Sequence, residues 1–279
     1  MARTRRLFAA LTRPGPYRVL RGDLAFAGLP GIVFTPETGF NLPAVVFGHD
    51  WLTGAARYRR LLEHLASWGF VAAAPDTERG PAPSVWNLAA DLDRTLDIAT
   101  GVRLGPGRIS VHPGKLALAG HGFGASAAVF AAAQSPDRFK AVAAIFPAVT
   151  APPAEEQAAT LNVPGVLFSA PGDPATLRSN AAQLTGGWHA ATPRVIAKAN
   201  PAGLPEGRRL SGFFGLPTSD RRTQRRVRAL LTGYLLAVLA GDKTYGDFAD
   251  PLVRLPRTAP PDQLLEPVDP VQKIVALLK

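Results

Sequence analysis

Six apolar runs of strand length, little interrupted by polar residues, recur along the chain: AVVFG (44–48), FVAAAPD (70–76), KLALAG (115–120), AVAAIFP (141–147), VPGVLFSA (163–170) and PRVIAKA (193–199). A strand that is apolar on both sides must be covered on both sides, which in practice means a parallel sheet with helices on either face. The intervening segments supply those helices. Tyr58, Leu61, Leu62 and Leu65 recur at helical spacing, as do Val85, Leu88 and Leu92 behind a Ser84 cap, and Leu177, Ala181 and Leu184 after Asp173-Pro174. A longer pattern from Ser219 to Ala240 sets Val227, Leu230, Leu231, Tyr234, Leu235 and Val238 on one buried face.

Alternation of this kind predicts a doubly wound α/β fold, with the Pro/Gly-rich stretches at 78–83, 150–154 and 200–217 as loops. At 279 residues and 47% hydrophobic content, one domain over 1–279 is expected, with residues 1–18 a loosely ordered basic segment. Ligands of such sheets sit beyond the carboxyl ends of the strands, an edge that receives His49, Asp50, Asp76, Gly122 and Asp173.

Composition narrows the chemistry. The absence of cysteine excludes disulfides, thiolate metal sites and a cysteine nucleophile. No apolar run approaches the roughly 20 residues that cross a bilayer, and the apolar centre of MARTRRLFAALTRPGPYR is too short for a signal peptide, so a cytoplasmic protein is expected. The alternative for that start is a small basic helix with Leu7, Phe8 and Leu11 on one side, resting peripherally on an anionic membrane. A net charge of +10 favours anionic surroundings, yet no aromatic-interleaved or zinc-finger pattern accompanies it, and nucleic acid is not an expected partner.

The segment LALAGHGFGASAAVF (116–130) reads as a strand, a tight turn and a helix start. Hydrolases present a nucleophile in such a turn, G-x-S-x-G, where the central residue is strained so that its side chain stands over the sheet edge. Here that central position is Gly122. A dinucleotide-binding reading of the glycines is set aside, because this is not a first strand and no acidic residue follows at the required distance.

The neighbouring segments carry a resemblance. PAVVFGHDWLTGAARYRRLLEHLASWGFVAAAPDT (43–77) resembles the dienelactone hydrolase branch of the α/β-hydrolase family and its esterase and polyester-hydrolase relatives, which carry a strand, H-[DE]-x-x-G, and a helix ending L-A-x-x-G-[FY]-V-x-x-x-P-D. GKLALAGHGFGASAA is similar to the family's nucleophile segment, LNVPGVLFSAPGDPAT to the strand and loop that deliver its acid, and RALLTGYLLAVLAGDKTYGDF to its closing helix. The resemblance spans about residues 20–250 and implies an α/β-hydrolase fold.

Carried over by position, it places the nucleophile at Gly122, the triad acid at Asp173, and the oxyanion donors at the Phe123 N–H and in the His49–Trp51 loop. The catalytic histidine should follow the last strand within AKANPAGLPEGRR, where there is none, and no histidine occurs after His189. Loss of either the nucleophile or the histidine of such a unit removes about six orders of magnitude in turnover.

The remaining candidates have structural readings. Ser126, four residues past the turn, is expected to be buried against the sheet; His121 to be a packing residue; His49 to organise the oxyanion loop; and His64 and His112 to lie away from the site. His49, Asp50, His121 and Asp173 match no metal-ligand spacing, and neither metal nor cofactor is expected. Asp173 keeps two readings, relic acid or N-cap of the following helix.

Two functions are therefore carried forward. The first is a non-catalytic binding or scaffolding protein whose former active site (His49, Asp50, Trp51, His121, Phe123) receives a small acyl or acidic ligand at the N–H groups of a helix start. The second is a carboxylic ester hydrolase of non-standard arrangement, with water activated near Asp173 or His49. Separately, Arg221, Arg222, Arg225, Arg226 and Arg228 crowd a helix start where positive charge is unfavourable, which raises an acidic protein or membrane surface as partner beside the plainer reading of a solvated basic face.

Overall fold

The computed structural model describes residues 2–172, 178–207 and 219–259. Eight strands form one sheet: β1 (Val19–Asp23), β2 (Gly31–Pro36), β3 (Gly39–Gly48), β4 (Val71–Pro75), β5 (Ile109–His121), β6 (Ala141–Ile145), β7 (Gly165–Ser169) and β8 (Ala191–Val195). Their spatial order is β1-β2-β4-β3-β5-β6-β7-β8. β1 and β2 are antiparallel additions at one edge, and from β4 to β8 every pairing is parallel. Every residue of β4, β6 and β7 is buried, as their continuous apolar sequences require.

The helices are α1 (Ala2–Leu11), α2 (Arg59–Ser67), α3 (Val85–Gly101), α4 (Phe123–Gln134), α5 (Ala154–Ala158), α6 (Ala181–Gly187) and α7 (Arg221–Val238). One core lies under α1, α2 and α7 and holds Phe34, Phe47, Phe70, Leu230 and Tyr234. The other lies under α3, α4, α5 and α6 and holds Val46, Leu92, Phe130, Val142 and Trp188. This is the α/β-hydrolase fold. From β3 the chain turns through α2 to β4 on one side and then through α3 to β5 on the other. The strand order thus reverses between β3 and β5, and their carboxyl ends open at the crevice where such sheets bind ligands.

Local signals explain the helix starts: the Ser84 side chain accepts from the Asn87 N–H, and the Asp220 carboxylate from the N–H groups of Arg222 and Thr223. Within the basic segment expected to be loose, residues 2–11 form a helix. α1 packs along α7 with Phe8 and Leu11 buried, and the buried Thr4 hydroxyl donates to Asp247. Its inward stripe, Thr4, Phe8 and Leu11, runs at i, i+4 and i+7, and a partner helix rather than a membrane covers it. His112 lies near the start of β5, whose carboxyl end leads into the turn at Gly122. Asp173 and Leu177 fall outside the described residues. No helix among the described residues is long and apolar enough to cross a membrane.

Candidate functional site

Between β5 and α4 the backbone makes its turn at Gly122, with φ 55° and ψ −118°. A residue with a side chain holds such a conformation only under strain of about 1–3 kcal/mol. The Gly122 N–H donates to the Ile145 carbonyl at 3.0 Å, and its own carbonyl accepts the Ala125 N–H at 3.1 Å. The start of α4 is pressed onto the end of β3: a β-carbon on Gly124 would stand 2.2 Å from the Gly48 carbonyl carbon. The strand–turn–helix is therefore intact as backbone, with no side chain at its central residue.

The space above that turn is filled by Asp50. Its Oδ1 accepts the Phe123 N–H at 3.0 Å, and a β-carbon on Gly122 would come within 2.0 Å of the same oxygen. Phe123 opens a twelve-residue helix, so the carboxylate meets both a free N–H and the positive end of the helix dipole.

The loop after β3 fixes Asp50 from several directions. Its N–H donates to the Tyr58 hydroxyl at 3.2 Å, and its carbonyl accepts the Thr53 N–H at 3.2 Å and the Thr53 hydroxyl at 2.5 Å. The fully buried His49 spans the loop, with Nδ1 3.0 Å from the Asp50 carbonyl and Nε2 2.7 Å from the Thr77 carbonyl. His121 Nδ1 lies 2.8 Å from the Tyr58 hydroxyl and 3.9 Å from Asp50 Oδ2, and its ring meets Tyr58 and Phe146 edge-on.

The sequence-derived site residues therefore separate. His49, Asp50, His121 and Phe123 come together, with both histidine rings held by neighbouring backbone, hydroxyl and aromatic groups. Trp51 turns outward to the rim, half exposed, with its indole N–H on the Pro81 carbonyl at 3.0 Å. Tyr58 and Thr53 are additions: Tyr58 has the spacing of a core helix residue, and nothing in sequence marks its hydroxyl as the bridge between Asp50 and His121. Of the two oxyanion donors inferred from the resemblance, the Phe123 N–H is taken by Asp50; in the His49–Trp51 loop, where the other was placed, the Asp50 N–H donates to Tyr58.

The buried Ser126 hydroxyl donates to the Ala148 carbonyl at 2.6 Å. His64 is buried in α2, and His189 is exposed just before β8. Beyond β8, where the histidine would belong, Glu206 binds the chain to α2 instead: its carboxylate oxygens accept the Arg60 and Leu61 N–H groups at 3.0 and 3.2 Å. Among the described residues no cluster of three or more histidine or carboxylate groups is placed to hold a metal.

The five arginines of α7 also divide. Arg226 donates to the carbonyls of Ala197 and Lys198, and Arg228 is partly buried beside Glu206. Arg221, Arg222 and Arg225 remain exposed.

The family model for chlorophyllase matches residues 24–167, about half of the chain, a span that includes both the Asp50 loop and the Gly122 turn. No curated protein matches the chain.

Proposed function

We propose that this chain, which belongs to the chlorophyllase family, is a non-catalytic member whose former acyl site is occupied from within and which acts as a binding or scaffolding protein. The observation that carries the reading is the Asp50 carboxylate on the Phe123 N–H, above a Gly122 that offers no attacking atom. In an acyl-transfer site that N–H stabilises the oxyanion, a contribution of about 3–4 kcal/mol per donor. Here it is spent on the protein's own anion. The same contact argues against an acidic ligand at this point, since a second carboxylate would meet Asp50 at close range. A neutral ligand or a protein partner fits better.

A second reading, carboxylic ester hydrolysis by a non-standard arrangement, as in a descendant of the dienelactone hydrolase-like branch, draws on one observation: Asp50 Oδ2 lies 3.9 Å from His121 Nδ1, a carboxylate and an imidazole beside the turn. Turnover of a series of p-nitrophenyl esters by the wild type, Asp50→Asn and Asp173→Ala separates the two. The first reading expects all three at the buffer rate. Wild-type turnover far above background that either substitution abolishes overturns it in favour of the second.

A further inference from the structure

The two helical layers carry opposite charge. α1, α2 and α7, which cover one face of the sheet, hold ten arginines and a single carboxylate, Glu63. α3, α4, α5 and α6, on the other face, hold five carboxylates (Asp91, Asp93, Asp97, Glu155 and Glu156) and one base, Arg94. The excess of positive charge in the first layer nearly equals the net +10 of the whole chain. Segregation of this kind gives the molecule a preferred orientation towards an anionic surface.

The basic layer presents its charge outward. Arg3, Arg5 and Arg6 of α1 and Arg221, Arg222 and Arg225 of α7 are exposed, and none is in an ion pair within 4.0 Å among the described residues. Arg60 of α2 and Arg225 stand close enough to Arg228 to oppose its charge, so the layer tolerates repulsion that folding alone does not reward. At one end lie aromatic side chains with polar tips. Tyr17 is exposed, and the partly exposed rings of Trp68 and Tyr245 meet edge-on at 6.4 Å, beside Arg13, whose carbonyl accepts the Trp68 indole N–H at 3.1 Å. Such side chains suit the boundary between water and lipid headgroups.

We propose that the α1–α2–α7 layer docks peripherally on an anionic phospholipid surface. Arginines close to a negatively charged bilayer act additively and are weakened by salt. All three helices are seated on the sheet by their apolar faces, so none is left projecting to enter a nucleic-acid groove, as direct reading of DNA requires. The docking is independent of whether the Gly122 site has any activity.

The test is co-sedimentation of the full chain with vesicles of phosphatidylcholine alone and of phosphatidylcholine containing about a third phosphatidylglycerol, in low salt and at about 0.5 M salt. Binding is expected only to the anionic vesicles and only at low salt. Replacing Arg3, Arg5 and Arg6 together by Ser, or Arg221, Arg222 and Arg225 together, should each weaken the partition coefficient by up to about a hundredfold, from about fivefold per arginine. Arg94→Ser, on the acidic layer, should leave it unchanged, and thermal unfolding of each variant reports whether the fold survives. Equal binding to both vesicles, no binding, anionic binding that neither triple substitution weakens, or displacement from the vesicles by an equal charge of duplex DNA would each overturn the proposal.

Discussion

The Asp50 carboxylate and the α-carbon of Gly122 exclude any side chain between them: a β-carbon at 122 would stand 2.0 Å from Asp50 Oδ1, the oxygen that accepts the Phe123 N–H. The two residues constitute one arrangement, because the glycine makes the space that the carboxylate fills. Gly122→Ser must therefore do two unfavourable things at once. It takes on the backbone strain of φ 55°, about 1–3 kcal/mol, and it displaces Asp50 from its N–H, roughly 1 kcal/mol more. In an Asp50→Ala background only the strain remains, so a double-mutant cycle read by denaturant unfolding should show a coupling of about 1 kcal/mol or more. Neither the single nor the double variant should hydrolyse esters efficiently. Additive losses would mean that Asp50 does not occupy the turn in solution.

Much of this arrangement was legible from sequence, for physical reasons that also mark where legibility stops. β4, β6 and β7 were readable because an uninterrupted apolar run has one stable solution, and Gly122 because the spacing of its neighbours fixes a turn around it. β1 and the burial of Thr4 on the inner side of α1 were not. The sequence LRGD carries no alternation and is exposed beyond Leu20, and Thr4 is polar yet buried because Asp247 accepts its hydroxyl. The position of Asp50 at the sheet edge followed from H-[DE]-x-x-G, but its side-chain direction is set by Tyr58 and Thr53 through the folded loop. The α7 arginines look equivalent in sequence, and only Lys198 and Glu206, distant in the chain, distinguish Arg226 and Arg228 from the rest.

Acid should loosen the α1–α2–α7 layer through His64. Burial above all, with Arg228 of α7 beside it and only the Leu11 carbonyl of α1 opposing them, lowers its pKa to about 4. The unfolded chain takes up this proton near pH 6.5, whereas the folded chain waits until about 4. The stability conferred by a neutral His64 is therefore complete above pH 6.5 and declines as pH falls, by about 1.4 kcal/mol per unit and roughly 3 kcal/mol in all. Its Nε2 is buried without a hydrogen-bond partner among the described residues, so His64→Leu gives up only the bond to the Leu11 carbonyl and removes the slope. Unfolding free energies measured between pH 7 and about 4 should fall more steeply for the wild type than for this variant. Parallel pH profiles would show that His64 does not titrate differently in the fold.

Glu206 should prove structural rather than catalytic, although it occupies the stretch where the resemblance looks for a histidine. Its carboxylate accepts the first free N–H groups of α2, from Arg60 and Leu61, while its backbone N–H donates to the Arg57 carbonyl at 2.7 Å. Burial raises its pKa, opposed by those same N–H bonds and by Arg60 and Arg228. Glu206→Ala leaves two helix-start donors without their acceptor and removes the carboxylate charge that favours the partly buried Arg228, a loss of about 1–2 kcal/mol. Hydrogen exchange at the Arg60 and Leu61 amides should accelerate in the variant while exchange in β6 tracks only the global loss. Unchanged exchange at both amides would count against the clamp.

The glycines of the turn should differ sharply from glycines elsewhere, because one kind is required by contact and the other by nothing in the fold. At Gly124 an added methyl group would meet the Gly48 carbonyl carbon at 2.2 Å and the His49 carbonyl oxygen at 2.5 Å, both backbone atoms that cannot swing aside. Gly124→Ala must therefore separate α4 from the end of β3, breaking the close approach on which the Phe123–Asp50 contact depends, and a loss of about 3 kcal/mol or more is expected, at the upper end of overpacking costs. At Gly186, inside α6, nothing lies within 4 Å of the same atom and the backbone is ordinary. There alanine should be neutral or stabilise by about 0.5–1 kcal/mol, through the smaller entropy it loses on joining a helix. Thermal unfolding of the two variants side by side makes the comparison, and a Gly124→Ala protein as stable as the wild type would show that α4 does not sit against β3 as closely as the contact between Asp50 and Phe123 demands.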